Sequence, residues 1–232
     1  MATNHIEEFT ASLKKIDQLI RTPNLIQSTA VEAIKGIDRK ELKPVTQNQY
    51  DRALQLLTNI SDGSIKDSYT IIYNQLCVLA VSALSAQLEK YFINYANSHW
   101  KQVNNPNKIK LDLEQIKGYD FQLKAFLGRI LMRNDNSIKF QDLQSTIRSF
   151  KEYFNKDINI TEQLKNEIIF YQQIRHILVH NDGIVNTEFI RKTQSANLKN
   201  YTEGAIVQLE ASDWGLIQKS FTEFVSIVVT PI

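Results

Sequence analysis

The sequence is poor in the residues that interrupt regular structure. Seven glycines and four prolines make up eleven of 232 residues, about 5 %, where average usage is roughly 12 %. An all-β sandwich or barrel needs a turn about every 8–12 residues, and this chain has too few turn-forming residues to supply them. The same scarcity excludes collagen-like, Pro-rich and Gly/Ser-rich chains. The composition therefore predicts an all-α fold.

Cysteine and net charge are also scarce. The single cysteine, Cys77, has no partner for an internal disulfide and lies in an apolar run, which predicts a buried core thiol. The formal net charge is only +2. A balance so close to neutral neither indicates a large nucleic-acid-binding surface nor excludes a small one.

Targeting and membrane segments are not expected. The first fifteen residues contain two glutamates and no apolar core of a signal peptide. No apolar run is expected to approach the roughly 18 residues of a membrane span. The sequence therefore predicts a soluble, cytoplasmic protein without membrane contact.

Apolar residues recur at helical spacing along most of the chain. The longest periodic stretch, about residues 65–95, is long enough for the spine of a helical bundle. Shorter helices are expected in segments with the same spacing: residues 9–20, 50–60, 121–131, 140–154, 161–180 and 214–228. Pro23 is expected to end the first of them, and Ser212 with Asp213 to cap the last.

Few segments are predicted to lie outside helices. The polar residues 97–112 indicate a long exposed loop, and residues 205–210 form the single predicted strand. No repeat or composition break divides the chain. We therefore predict one domain over residues 1–232, an up-and-down bundle over about 65–229 with a helical N-terminal extension over about 1–63.

Residues capable of acid–base chemistry concentrate near the end of one predicted helix. Arg175, His176 and His180 lie within six residues of each other, just before Gly183. On a helical wheel the two histidines lie about 100° and 140° from the arginine, so all three share one side. The chain has no Gly-rich phosphate loop, no cysteine pair for zinc and no Gly-x-Ser-x-Gly elbow. These three residues are the candidate catalytic site.

The side of the helix that carries the three candidates is not ordinarily polar. Ile168, Ile169 and Val179 lie among them. The opposite side is a typical core face, with Phe170, Tyr171, Ile174, Ile177 and Leu178. A helix that is apolar on nearly all sides is buried on both. Either it lies at the centre of the bundle or its second face meets another subunit, and the cluster of ionisable residues favours the subunit interface.

Each candidate also has a simpler structural interpretation. His180 precedes a glycine that can close the helix in the left-handed conformation, and a histidine in the last turn suits the helix dipole. Arg175 can pair with an acid such as Glu167 or Asp182. His176 and His180, one turn apart, can ligate zinc together. Because no cysteine or third histidine is near them, no metal ion is expected.

The string Arg-His-x-x-x-His, followed by Asn-Asp-Gly-Ile-Val-Asn, resembles the HEPN superfamily. The motif of that superfamily is an arginine, a polar residue, three variable residues and a histidine, which here are Arg175, His176, residues 177–179 and His180. The resemblance extends over roughly residues 65–229. Three weaker features agree with it: the apolar segment 81–84, the helix start at 138–142 and the closing helix after Trp214.

The resemblance implies a helical bundle that forms a homodimer with the two motifs face to face. Many HEPN proteins are metal-independent endoribonucleases that act as toxins or in antiviral defence, and others have lost catalysis and serve as binding partners. RNA carries its own nucleophile, the 2′-hydroxyl, so cleavage needs proton transfer and charge stabilisation and no cofactor. His180 would then be general base or acid, Arg175 the phosphate ligand, and His176 an orienting group or second proton carrier.

Substrate binding is expected to involve residues beside the motif. Asn181 can support it by hydrogen bonding, and Arg191 with Lys192 can attract the RNA backbone, although a solvated basic pair is the simpler interpretation. Two functions stay open. One is an RNA-cleaving toxin or defence nuclease, with an antitoxin or defence-system partner. The other is a catalytically silent scaffold or accessory subunit, for instance beside a nucleotidyltransferase or NTPase.

Overall fold

The computed structural model describes residues 2–36, 44–59, 64–104, 110–111, 113–118, 122–196 and 198–230. These residues form nine α-helices, one 3-10 helix (Trp100–Gln102) and no strand. The α-helices are α1 (Ala2–Lys35), α2 (Pro44–Asn59), α3 (Ser64–Ser98), α4 (Leu113–Gly118), α5 (Leu123–Asn134), α6 (Leu143–Phe154), α7 (Glu162–His180), α8 (Thr187–Thr193) and α9 (Ala211–Val229). The prediction of an all-α bundle is confirmed.

Helix α3 is the spine of the described bundle, as its periodicity predicts. It packs against α1, α5, α7 and α9. Its inner side is fully buried at Leu84 and Phe92. Cys77 lies on the same side, where its thiol donates to the Tyr171 carbonyl at 3.7 Å, and burial raises the pKa of that thiol far above its usual range. The predicted core thiol is confirmed.

Helix α3 also has the length and composition of a membrane span. Residues 69–98 contain a window with a mean hydropathy of 1.5, and no charged residue occurs from Tyr69 to Leu88. The expectation that no such segment exists is wrong, because serine, asparagine and glutamine interrupt the apolar runs without adding charge. The core helix of a soluble protein has the same character, and the inner side of α3 is covered by four neighbouring helices.

Helix α5 crosses α3 at very short range because of one glycine. A Cβ at Gly128 would lie 2.5 Å from the Cα of Ile93, well inside van der Waals contact. The Gly128 amide donates to Asn97 Oδ1 at 3.0 Å, and Asn97 Nδ2 donates to the Ala125 carbonyl at 2.7 Å. Gly128 therefore fixes α5 against α3.

The N-terminal helix packs onto the bundle through buried Phe9 and Leu13 and through polar contacts. His5 is 4 % exposed, its Nδ1 lies 2.7 Å from Gln87 Nε2, and its ring contacts the Tyr91 ring edge-on at 5.2 Å. Burial lowers the pKa of His5 below its ordinary value. Trp214 Nε1 donates to Asp17 Oδ1 at 2.8 Å and joins α9 to α1. Helix α1 thus contributes to the same core as α3 and α9.

A buried lysine stabilises the C-terminal end of α9 by hydrogen bonding. Lys156 is 1 % exposed, and its Nζ donates to the Thr230 carbonyl at 2.9 Å and to Tyr91 Oη at 3.2 Å. The ammonium also lies 5.4 Å and 5.0 Å from the ring centres of Tyr91 and Tyr95. Burial lowers the pKa of Lys156. Because Thr230 follows the last residue of α9, the cation stabilises the negative end of that helix dipole.

Two helix boundaries differ from those predicted. Helix α1 continues well past Pro23. The proline removes only the hydrogen bond to the carbonyl of Leu19, which lies on the exposed side where water can replace it. Helix α9 begins after Glu210 and not at Ser212, because Glu210 and Asp213 cap it reciprocally, with the Glu210 amide donating to Asp213 Oδ2 at 2.8 Å.

The predicted strand at residues 205–210 is reduced to one antiparallel bridge between Ile184 and Ile206. The Val185 amide donates to the Ala205 carbonyl at 2.8 Å, and the Val207 amide to the Gly183 carbonyl at 2.9 Å. The cap at Glu210 then turns the chain into α9 before a longer ladder can form.

The predicted loop at residues 97–112 is only partly among the described residues. Helix α3 extends to Ser98 and the 3-10 helix follows it, so the loop begins later than predicted. Residues 105–109 and 112 lie outside the described residues, as does residue 60, the predicted end of the helix over 50–60.

Candidate functional site

Helix α7 carries the candidate site at its C-terminal end. The Thr161 hydroxyl caps its start by accepting a hydrogen bond from the Leu164 amide at 3.2 Å. The helix packs against α3, α6, α8 and α9. Its buried residues are Leu164, Glu167, Ile168, Phe170, Tyr171, Gln172, Ile174 and Ile177. The predicted core face is therefore confirmed, with Leu178 half-buried against it.

The apolar residues on the second face of α7 are mostly covered by this chain itself. Ile168 is fully buried and Ile169 is half-buried against the core. A central position in the bundle accounts for these two residues, and the subunit interface favoured by the ionisable cluster stays a prediction. Val179 is 46 % exposed and stays available to another molecule.

Helix α7 ends in a tight turn closed by backbone groups. The amides of Asn181 and Gly183 both donate to the Ile177 carbonyl at 2.9 Å. Gly183 has a φ of +74°, the left-handed conformation predicted for it. Asn181 Nδ2 donates to the Ile184 carbonyl at 2.6 Å, so Asn181 supports the turn. The imidazole of His180 takes no part in the hydrogen bonds described for this turn.

His176 and His180 form an exposed pair on the last turns of α7. Their ring centres are 4.9 Å apart. Partial desolvation lowers the pKa of His176, and the nearby His180, Lys192 and Arg175 lower it further, against the opposing effect of Glu188. His176 is therefore mainly neutral near pH 7 and can accept a proton.

Helix α8 brings its basic residues to this pair. Lys192 forms an ion pair with Glu188 at 2.8 Å, and both influence His176. Arg191 is exposed beside them. Sequence reasoning missed α8, although Asn186 is a typical cap and accepts a hydrogen bond from the Phe189 amide at 2.9 Å. Of the predicted backbone-binding residues, Lys192 is thus the one placed next to a motif histidine.

Arg175 lines a separate cavity of about 230 Å³ between α7, α3 and the segment before α6. The other lining residues are Val81, Ser82, Ser85, Ala86, Glu89 and Gln141. Arg175 is half-buried and forms no ion pair or hydrogen bond within the described part of the chain. Its predicted pairing with Glu167 or Asp182 is wrong, because Glu167 instead accepts hydrogen bonds from Ser220 Oγ and Gln163 Nε2.

The same cavity contains a second polar group without a partner. Ser85 Oγ is the one buried side-chain nitrogen or oxygen that lacks a hydrogen-bond partner among the described residues. One turn earlier, Ser82 Oγ is satisfied by the Val78 carbonyl at 2.8 Å. Buried polar groups in native proteins nearly always have a partner. The Ser85 oxygen has almost no accessible surface, so Arg175 is the residue that offers free donors to the cavity, and a guanidinium is suited to an oxyanion.

Sequence reasoning missed Ser85, Glu89 and Gln141. They come from α3 and from the segment before α6, and only packing brings them to Arg175. No local pattern marks them, because on α3 the serine and glutamate are ordinary residues of an outer helix face.

Neither a metal-binding cluster nor a similarity to a known protein assigns a function to this site. The described residues contain no group of three or more His, Cys, Asp or Glu side chains that could hold a metal ion. No family model, curated protein or solved structure matches the chain. The site is therefore defined by its motif and its geometry.

Proposed function

We propose that this protein is a metal-independent endoribonuclease of the HEPN type. One observation carries the proposal: the half-buried guanidinium of Arg175 has no acidic partner in the described structure and faces a cavity, next to the histidine pair on the same helix. A planar cation with free donors is suited to a phosphodiester. The reaction class comes from the resemblance of the motif.

In the proposed reaction, a histidine takes the proton of the RNA 2′-hydroxyl. The 2′-oxygen forms a bond to phosphorus while the bond from phosphorus to the 5′-oxygen breaks. A second, protonated histidine gives its proton to the leaving 5′-oxygen, so the products carry a 2′,3′-cyclic phosphate and a 5′-hydroxyl. His180 and His176 are the candidates for these two roles. Arg175 stabilises the charge on the non-bridging oxygens.

We also propose that the active form is a homodimer. In the described chain no hydrogen bond joins Arg175 to His180, so one chain offers an arginine cavity and a histidine pair as separate parts. A two-fold contact would place a second copy of each part opposite the first. Val179 on α7 and Leu79 on α3, 46 % and 41 % exposed, offer apolar surface for that contact.

The test is cleavage of labelled RNA in the presence of EDTA. The expected products carry 2′,3′-cyclic phosphate ends, and His180→Ala should lower the rate roughly 10²–10⁴-fold, the usual contribution of a general acid or base. His99→Gln, at a histidine outside the site, is the matched control and should retain the rate. Absence of cleavage by the unmodified dimer with any RNA would contradict the proposal.

A catalytically silent scaffold or accessory subunit is the second candidate. The net charge of +2 favours it, because nucleic-acid affinity depends mainly on basic surface. In either case a toxin or antiviral defence setting, a cytoplasmic location and an antitoxin or defence partner are proposals that rest on the resemblance alone. Dimerisation by light scattering without cleavage would support the scaffold.

A further inference from the structure

Two cavities meet on the outer face of α3. The second, of about 380 Å³, is lined by Ala86, Glu89, Lys90, Ile93, Asn94 and Arg129. Ala86 and Glu89 also line the Arg175 cavity. The two cavities therefore adjoin each other along α3, and we name them together the α3 groove. Its floor extends from Val81 to Asn94, about 20 Å of helix at 1.5 Å per residue.

An arginine lies at each end of the α3 groove, Arg175 from α7 and Arg129 from α5. Neither forms an ion pair or hydrogen bond within the described part of the chain. Lys90, which also lines the groove, is already engaged with Glu8 at 2.8 Å. The close contact of Gly128 with Ile93 holds the backbone next to Arg129 in place. The groove thus has two cationic groups, half-buried Arg175 and exposed Arg129, that have no partner in the described part of the chain and can bind an anion.

Glu89 lies between the two arginines and lines both cavities. A carboxylate repels phosphate, so its position would disfavour a ligand made only of anionic groups. Every nucleotide of RNA also carries a 2′-hydroxyl, and a carboxylate accepts a hydrogen bond from that group. Along the groove the side chains follow the order Arg175, Glu89 and Arg129. This order matches a phosphate, a ribose hydroxyl and a second phosphate along an RNA strand. DNA lacks the hydroxyl and would meet only the repulsion.

We propose that the α3 groove binds single-stranded RNA beside the scissile phosphate. Arg175 holds the reacting phosphate, Glu89 accepts from a 2′-hydroxyl, and Arg129 binds a neighbouring phosphate. The identity of the reacting phosphate rests on the proposed function. The binding of RNA in the groove does not rest on it, because binding needs no proton transfer.

The test uses the full chain carrying His180→Ala, so that RNA is bound and not cut. Fluorescence anisotropy with a labelled single-stranded RNA oligonucleotide is measured in EDTA over a series of salt concentrations. Adding Arg129→Ala should weaken binding about fivefold, the effect of an exposed charge pair of about 1 kcal/mol. It should also reduce the slope of log affinity against log salt by about 0.7, the value for one single-strand phosphate contact.

The matched control is Arg52→Ala, which removes the same charge from an exposed position on α2 and should change neither quantity. Equal affinities and slopes with and without Arg129 would overturn the proposal.

A second variant tests the role of the carboxylate. Glu89→Gln removes the repulsion and weakens the acceptor, so binding of a DNA oligonucleotide should tighten more than binding of RNA, and the preference for RNA should fall. An equal change for RNA and DNA would overturn the assignment of Glu89 to a 2′-hydroxyl.

Failure of the groove and failure of the nuclease give different results. If RNA binds in an Arg129-dependent way but is never cleaved, the proposal of an RNA-binding groove is supported and the proposal of a nuclease is contradicted. If the Arg129→Ala chain, with His180 intact, cleaves RNA with an unchanged KM, the proposal of a nuclease is supported and the proposal of an RNA-binding groove is overturned.

Discussion

Lys156 and Arg175 are both at least partly withdrawn from solvent, and their surroundings differ. Lys156 is 1 % exposed, and its ammonium is surrounded by a carbonyl, a hydroxyl and two aromatic rings. Arg175 is half-buried, has no partner in the described chain and faces a cavity. Burying a cation costs free energy unless its donors are satisfied. Lys156 offsets that cost within the fold, whereas the partly exposed Arg175 keeps donors available to solvent or to a ligand.

We interpret the difference as that between a structural cation and a candidate functional one. Both lie near helix ends, and composition does not distinguish them. What distinguishes them is whether the fold itself supplies acceptors, so removal of each should damage a different property.

The largest effect is expected for Arg175→Ala. RNA cleavage should fall roughly 10²-fold or more, because the phosphate loses its charge-assisted hydrogen bonds, while the free energy of unfolding should change by less than about 0.5 kcal/mol. Arg175→Lys keeps the charge but not the planar fork and should recover only part of the rate. Cleavage assays and urea unfolding measure the two quantities. A large loss of stability in Arg175→Ala would show that this arginine, like Lys156, has a structural role.

Lys156→Met should show the reverse pattern. The Thr230 carbonyl and the Tyr91 hydroxyl lose their partner, which should cost about 1–3 kcal/mol of stability in urea unfolding, while the rate per folded molecule stays the same. Lys151→Met is the matched control, since Lys151 is an exposed lysine paired with Asp157 at the surface; its loss should cost less than about 1 kcal/mol. Equal losses in both variants would show that the buried contacts of Lys156 add nothing.

His5 sharpens the comparison, because it is a buried group that must stay neutral. Its pKa is lowered from about 6.5 by burial. As the pH falls below 6.5, the unfolded chain takes up a proton before the folded chain does, so stability should fall until the pH reaches the lowered pKa. Thermal melting of the natural chain and of His5→Gln between pH 7 and pH 5 measures this contribution. The two chains should differ in slope, and parallel slopes would remove His5 as the cause.

The smallest effect is expected at α8. Lys192 contributes to lowering the pKa of His176, so Lys192→Ala should raise that pKa slightly and move the acid limb of the cleavage profile to higher pH. Titration of the His176 ring by NMR measures the change directly. Arg191→Ala, the same charge change one residue earlier, is the control and should shift the His176 pKa less. A downward shift in Lys192→Ala would contradict the electrostatic interpretation.

Much of the fold follows from spacing, because the period of apolar residues directly reflects which side of a helix is buried. The spine α3 and the core face of α7 were predictable for that reason. Pro23 was misleading, since the carbonyl that loses its hydrogen bond belongs to exposed Leu19, where water can replace the missing partner. The start of α9 depended on the pairing of Glu210 with Asp213, which competes with the simpler cap at Ser212.

The site was only half predictable. Arg175, His176 and His180 are consecutive enough in sequence to form a motif, and the structure places them at a helix end closed by Gly183, as expected. Ser85 and Arg129 could not be found, because they reach the α3 groove from helices far away in sequence. The alternative interpretation, in which Arg175 pairs with a nearby acid, is wrong. Buried Glu167 already accepts hydrogen bonds from Ser220 and Gln163.

The bridge between Ile184 and Ile206 has a consequence for local opening. It brings together the two ends of an excursion that contains α8, and its base is held by a few backbone hydrogen bonds between residues 183–185 and 204–207. Such a segment can open as a cooperative unit at a lower free energy than the helical core. Opening it would carry Lys192 away from His176 while α3, α7 and α9 stayed folded. Amide hydrogen exchange at Val185 and Val207 would report that motion separately from global unfolding.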